Sequence, residues 1–167
     1  SRFCSDAVLK KLVAEAQNQG VTDIFSVSYF DENIVTEESM MRDVRPFTDA
    51  GIKVWLVQDV PNDESYHPLD RARAALDGEP LNLGGISRAA YNKAAKAEYA
   101  IQQAVKAALP EHVRVLYTAD YLCDADMCKY SENGVPFYLD TNHVTFAGRD
   151  VLRPMFETAF DEIAKAQ

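Results

Sequence analysis

Apolar residues along the chain follow two alternating rhythms: a spacing of about 3.6 residues and short continuous runs. Val8, Leu9, Leu12, Val13 and Ala16 share one face of a helix that Ser5 or Asp6 caps and Gly20 stops. "DIFSVSYF", residues 23–30, reads as a strand rich in β-branched and aromatic side chains. "TEESMMRDVRPFTDAG" predicts a helix capped by Thr36 and kinked or shortened by Pro46. "IKVWLVQDVP" is almost wholly apolar, the signature of a strand buried on both faces. A polar stretch follows, with a short helix around Asp70 to Leu76. Ser87 caps a long helix ending at Pro110, whose stripe of Ala90, Ala94, Ala97, Ile101, Val105 and Ala108 faces a sheet. "HVRVLYTAD" is a third strand and "VPFYLD" a short extended run. Thr145 caps the last helix, with Val151, Met155, Ala159 and Ile163 on its inner face and a kink at Pro154.

Strands alternating with helices predict an α/β fold, a three-layer sandwich around a mostly parallel, flavodoxin-like sheet. With 167 residues and no repeat, linker or low-complexity tract, one domain over 1–167 is expected. The net charge of -9, uninterrupted by a Lys/Arg cluster, argues against nucleic acid and anionic membranes as partners. No apolar run approaches the ~20 residues that span a bilayer. The opening "SRFCSDAVLKKL" is no signal peptide and starts at the threshold of a helix, as a fragment or a mature form would.

Chemistry concentrates in "FYLDTNHVTFAGRDVL", residues 137–152. In sheets of this class, active sites gather on loops at the carboxyl ends of strands, and Asp140 and His143 lie on a late loop of that kind. A carboxylate that accepts from one imidazole nitrogen fixes the tautomer and leaves the other nitrogen to take a proton from a nucleophile. The plain alternative is that Asp140 ends a strand and His143 fills a loop. Cys123 and Cys128, in "CDADMC", can close a short disulfide loop, which implies an oxidising compartment, or remain reduced and buried. A metal site needs about four ligands, and nothing in the spacing brings Cys4 and His112 to that pair. Ser87, after two glycines, faintly resembles a nucleophile elbow, but its expected role is a helix cap. His67 belongs to a polar loop, and His112 is expected to pair with a carboxylate. Trp55 is expected in the core, and Tyr91 and Tyr99 on a packed helix face.

With Thr145 and Gly148 in register and Val144 in place of a common leucine, the 137–152 block resembles the D-x-x-H-L-[ST]-x-x-G block of SGNH hydrolases. The order of the other elements narrows the resemblance. The strand ending in "QDVP", the helix "SRAAYNKAAKAEYAI" and the loop from Leu122 through Cys123 and Cys128 are similar to the SGNH domain fused to membrane acyltransferases of the acyltransferase-3 family. That family O-acetylates bacterial surface sugars.

The resemblance implies a periplasmic domain tethered to the inner membrane through a membrane acyltransferase domain, moving an acyl (acetyl) group to a cell-envelope carbohydrate. His143 would be the general base and Asp140 its orienting acid, with an acyl donor and a carbohydrate acceptor as partners and no cofactor or metal. Asn33 is the nearest counterpart of the oxyanion-hole asparagine; a turn role is the alternative. Cys123 and Cys128 fit the family's cysteine loop.

The nucleophile of the family comes from a G-D-S block on the first strand, and no G-D-S occurs in this chain. The N-terminal strand or strands are therefore expected upstream of Ser1, which leaves one edge of the sheet to be covered by another segment or by a dimer. Without a nucleophile, the competing reading is a catalytically silent glycan-binding or docking module. A nucleotide-binding domain is disfavoured, because no Gly-rich phosphate loop follows any strand.

Overall fold

The computed structural model describes residues 5–27, 30, 31, 33–61, 69, 73, 76–78 and 84–166. In chain order the elements are α1 (Asp6–Asn18), β1 (Asp23–Val27), α2 (Glu37–Asp49), β2 (Lys53–Val57), β3 (Gly85–Ser87), α3 (Arg88–Ala94) and α4 (Lys96–Ala108). They continue with β4 (Val113–Leu116), α5 (Ala119–Leu122), β5 (Met127–Lys129), β6 (Ser131–Glu132), β7 (Val135–Pro136) and α6 (Phe146–Lys165). The architecture is α/β, and the chain forms two compact units. The helix expected near Asp70, as well as His67 and Cys4, falls largely or wholly outside the described residues.

The first unit comprises residues 1–59 and 96–116. Its three strands form a parallel sheet in the order β1-β2-β4, with Ile24 opposite Val54 and Val54 opposite Val113. Val54, Leu56 and Val113 bury one face of the sheet against Val44 and Phe47 of α2 and Val105 of α4. Trp55 projects to the other face, as alternation along a strand requires. It is buried, stacks on Phe25 with centroids 5.7 Å apart, and its Nε1 donates to Asp23 Oδ1 at 2.8 Å. Local signals set the helix starts. Ser5 caps α1, and Thr36 and Ser39 exchange reciprocal bonds in a capping box at α2.

Among the described residues β1 pairs with β2 alone, and the cover at this margin is thin. Of the apolar face expected of α1, only Leu9 is buried, while Val8 and Leu12 stay exposed. A cleft of about 280 Å³ lies here, lined by Leu9, Leu12, Ile24, Met40 and Phe47 among others.

Several expectations need correction. Of the strand predicted over 23–30, β1 covers Asp23–Val27, residues 28 and 29 lie outside the described residues, and the Phe30 N–H donates to Asp59 Oδ2 at 3.2 Å. The long helix from Ser87 is interrupted at Ala95, where the chain passes between the two units, and it stops at Ala108. Its predicted stripe is packed only in part, at Val105 and, half-buried, at Ala97 and Ile101. Ala90, Ala94 and Ala108 are exposed, and the buried positions of α4 are Glu98, Gln102 and Val105. Tyr91 is buried as expected, but Tyr99 is exposed. Helix α2 runs three residues past Pro46, and α6 runs unbroken through Pro154. One missing N–H removes one bond from a ladder, which the packed Leu152, Met155 and Ala159 of α6 outweigh. Among the described residues, His112 Nδ1 is enclosed without a hydrogen-bond partner.

The second unit comprises residues 60–95 and 117–167. Strand β3 pairs antiparallel with β5, setting Ile86 opposite Cys128, and Cys128 is bonded to Cys123 in a disulfide. Arg88 ties this corner to α5, its Nη1 donating to the Ala119 carbonyl at 2.9 Å. Strands β6 and β7 form a hairpin across Asn133 and Gly134, both at positive φ as a primed turn demands. Leu122, Tyr130, Phe137, Tyr138 and Leu152 make its core, with Tyr130 and Tyr138 edge to face at 5.3 Å.

Candidate active site

The loop between β7 and α6 carries the acid and the imidazole, and backbone bonds at both of its ends define its course. The Thr145 N–H donates to the Phe137 carbonyl at 2.8 Å, and the Leu139 N–H to the His143 carbonyl at 2.7 Å. Tyr138 and Val144 form an isolated antiparallel bridge between these bonds. Residues 139–143 therefore turn back on themselves within a closed loop. Thr145 anchors the exit: its Oγ1 donates to the Pro136 carbonyl at 2.7 Å and accepts from the Gly148 N–H at 3.2 Å as the N-cap of α6. Gly148 has a steric role, since a Cβ at this position would strike the Phe137 carbonyl oxygen. The T-x-x-G part of the motif is thus what allows the helix to sit directly on the loop.

Inside the turn, Asp140 uses both carboxylate oxygens. Oδ1 accepts from the Asn142 N–H at 3.0 Å and from the His143 N–H at 2.8 Å, which fixes the side chain to its own loop. Oδ2 lies 2.8 Å from His143 Nδ1. The backbone N–H groups of Asn142 and then His143, more than the imidazole, hold the Asp140 carboxyl down to about 2. An ionised carboxylate facing Nδ1 places the ring proton there, so Nε2 presents its lone pair. The His143 side chain is 73% exposed, leaving that nitrogen open to a substrate. The pair predicted from the spacing is brought together with the geometry of the acid–imidazole part of a triad.

A family model described as "SGNH domain (fused to AT3 domains)" matches residues 1–158. The chain belongs to that SGNH family. The family is of the esterase and acyltransferase type, and this chain is an SGNH module of the kind associated with membrane acyltransferase domains. No curated protein and no solved structure matches it. No described helix is long and apolar enough to cross a membrane.

The other residues singled out in the sequence of this SGNH chain are placed as follows. Asn33 belongs to the first unit, in a turn where its N–H and its Nδ2 donate to Asp31 Oδ1 at 2.9 and 3.1 Å. Ser87 caps α3, its Oγ accepting from the Ala90 N–H at 3.2 Å. Cys123 and Cys128 form the disulfide.

Two features went unread in the sequence. Glu98, 4% exposed, accepts the Asp59 N–H at 2.7 Å just beyond β2 and the Gln102 Nε2–H at 3.0 Å. Burial pushes its carboxyl up to about 7, against the pull of the Asp59 N–H. Its signal was a Glu and a Gln four apart in an alanine-rich helix. Phe146, the first residue of α6, is 80% exposed, and the Arg149 guanidinium lies over its ring, 5.0 Å from the centroid.

Proposed function

We propose that the chain is the histidine- and aspartate-bearing part of a periplasmic O-acyltransferase that moves an acyl (acetyl) group to a cell-envelope carbohydrate. The observation that carries this reading is the 2.8 Å contact between His143 Nδ1 and an Asp140 already anchored by two backbone N–H groups. In the proposed reaction a serine hydroxyl attacks the acyl carbonyl while His143 Nε2 takes its proton. The oxyanion collapses, the leaving oxygen receives that proton from the imidazolium, and the acyl-serine remains. A sugar hydroxyl, deprotonated by His143, then attacks the acyl-serine and releases the serine. Asp140 keeps the tautomer and stabilises the imidazolium throughout.

The serine belongs to a G-D-S segment outside this sequence, which itself contains none. The edge of β1 and its apolar cleft suit one further strand, from that segment or from a second copy in a dimer. The Cys123–Cys128 disulfide favours an oxidising compartment such as the periplasm. The same missing serine favours a second reading, a silent glycan-binding module that keeps the fold.

The deciding experiment is p-nitrophenyl acetate hydrolysis by the chain alone and by the chain extended upstream through its G-D-S segment. The extended protein is expected to turn over, and His143→Ala to lower its kcat/KM by about 10³-fold or more with the fold retained. Turnover undiminished by His143→Ala would refute the assignment, and an upstream sequence without G-D-S would favour the silent module.

A further inference from the structure

Phe146 follows the acid–imidazole loop directly, and the acyl-transfer chemistry does not use it. A single exposed apolar side chain carries no meaning by itself. This one is held. Arg149 Cζ lies 5.0 Å from the ring centroid, which places a cation over one face of the ring. The guanidinium is fixed in turn, its Nε and Nη2 both donating to Asp150 Oδ1 at 3.1 and 2.7 Å. Arg153 Nη2 donates to the same oxygen at 2.6 Å. The result is an aromatic ring with one face against a clamped cation and 80% of the residue still in water.

We propose that Phe146, Arg149 and Asp150 form the acceptor subsite, taking the pyranose ring of a carbohydrate. This rests on the acyl-transfer reading of the same loop and adds where the acceptor sits. The C–H face of a pyranose carries a weak positive potential that matches the negative face of an aromatic ring. Arg149 covers one face of the ring and leaves the opposite face for the sugar, while the remaining guanidinium N–H groups and the second Asp150 oxygen stand on the same turn of α6. Position fits as well. Phe146 is three positions after His143, so even a fully extended chain puts their Cα atoms no more than about 11 Å apart. In this proposal the hydroxyl that His143 deprotonates belongs to the sugar on Phe146 or to its neighbour.

Binding is tested without turnover, by saturation-transfer NMR of the chain with methyl glucopyranoside, methyl galactopyranoside and methyl rhamnopyranoside. At least one glycoside is expected to bind with its ring C–H protons most strongly saturated. Phe146→Ala should weaken that binding by about five- to tenfold, while Phe146→Trp should keep it. Absence of binding by the wild-type chain to all three glycosides overturns the proposal, and so does equal binding by Phe146→Ala. Phe146-dependent binding, together with no esterase activity in the chain extended through its G-D-S segment, keeps the subsite and overturns the enzyme reading. Esterase activity together with binding indifferent to Phe146 does the reverse.

Discussion

Glu98 in the first unit and Asp140 in the second both accept backbone N–H bonds, yet their acidities move in opposite directions. Glu98 is enclosed by the helix–sheet core, where loss of water outweighs its two hydrogen bonds and raises the carboxyl to about 7. Asp140 stands in solvent at the tip of a tied loop, where two N–H groups act without that penalty and lower it to about 2. Hydrogen bonds to a carboxylate therefore do not decide its charge by count; burial does. The exposed acid stays ionised through the range in which a histidine works as a base. The buried one is a structural tie between α4 and the end of β2, with a proton that comes and goes near neutrality.

The sharpest way to break this contrast is to remove the charge of Asp140 and keep its shape. Asp140→Asn can still accept from Asn142 and His143 through Oδ1, so the loop should persist. The ring loses its anionic partner, and kcat/KM of the complete enzyme should fall by about 10³- to 10⁴-fold with little change in Tm. A loss of less than tenfold would mean that Asp140 only shapes the loop.

Glu98→Gln tests the other side of the contrast. With a folded value near 7 against an ordinary 4.5, the folded protein holds a proton that the unfolded chain releases between those values. Stability therefore falls as pH rises from about 4.5 to about 7 and levels off above that. Glutamine keeps an acceptor for the Asp59 N–H and has no charge to bury. Denaturant titrations should find the variant more stable by up to about 3 kcal/mol near pH 8, with its pH dependence flattened. An unchanged pH dependence would show that the Glu98 proton is not coupled to folding.

A smaller effect, about 2 kcal/mol of destabilisation, is expected for Gly148→Ala, because the new Cβ has no space against the Phe137 carbonyl. Esterase activity should fall as α6 is pushed off the loop that ties Asp140 to His143. A variant as stable and as active as the parent would show that the loop does not depend on the close approach of α6.

The dyad was legible because its geometry is local. Asp140, His143, Thr145 and Gly148 lie within nine residues, and every bond that shapes their turn comes from residues 136–149. The caps at Ser5, Thr36, Ser87 and Thr145 were legible for the same reason, and so was β2, whose unbroken apolar run matches its burial. The hairpin at Asn133 and Gly134 carries an equally local signal in its Asn-Gly turn. Glu98 was not legible. Periodicity assigns the packed face of a helix by hydrophobicity, and only the arrival of the Asp59 N–H beside α4 makes a carboxylate acceptable there. The exposed face of α1 escaped in the opposite sense: its apolar spacing is regular, but whether a face is covered depends on what lies across the sheet. From sequence alone came the α/β class, the helix caps, β2 and the acid–imidazole pair, because short-range sterics and hydrogen bonds decide them. The tertiary structure decided which carboxylate is buried, which aromatic ring is left in water and, among the described residues, which strand edge stays open, because burial depends on residues that are distant in the chain.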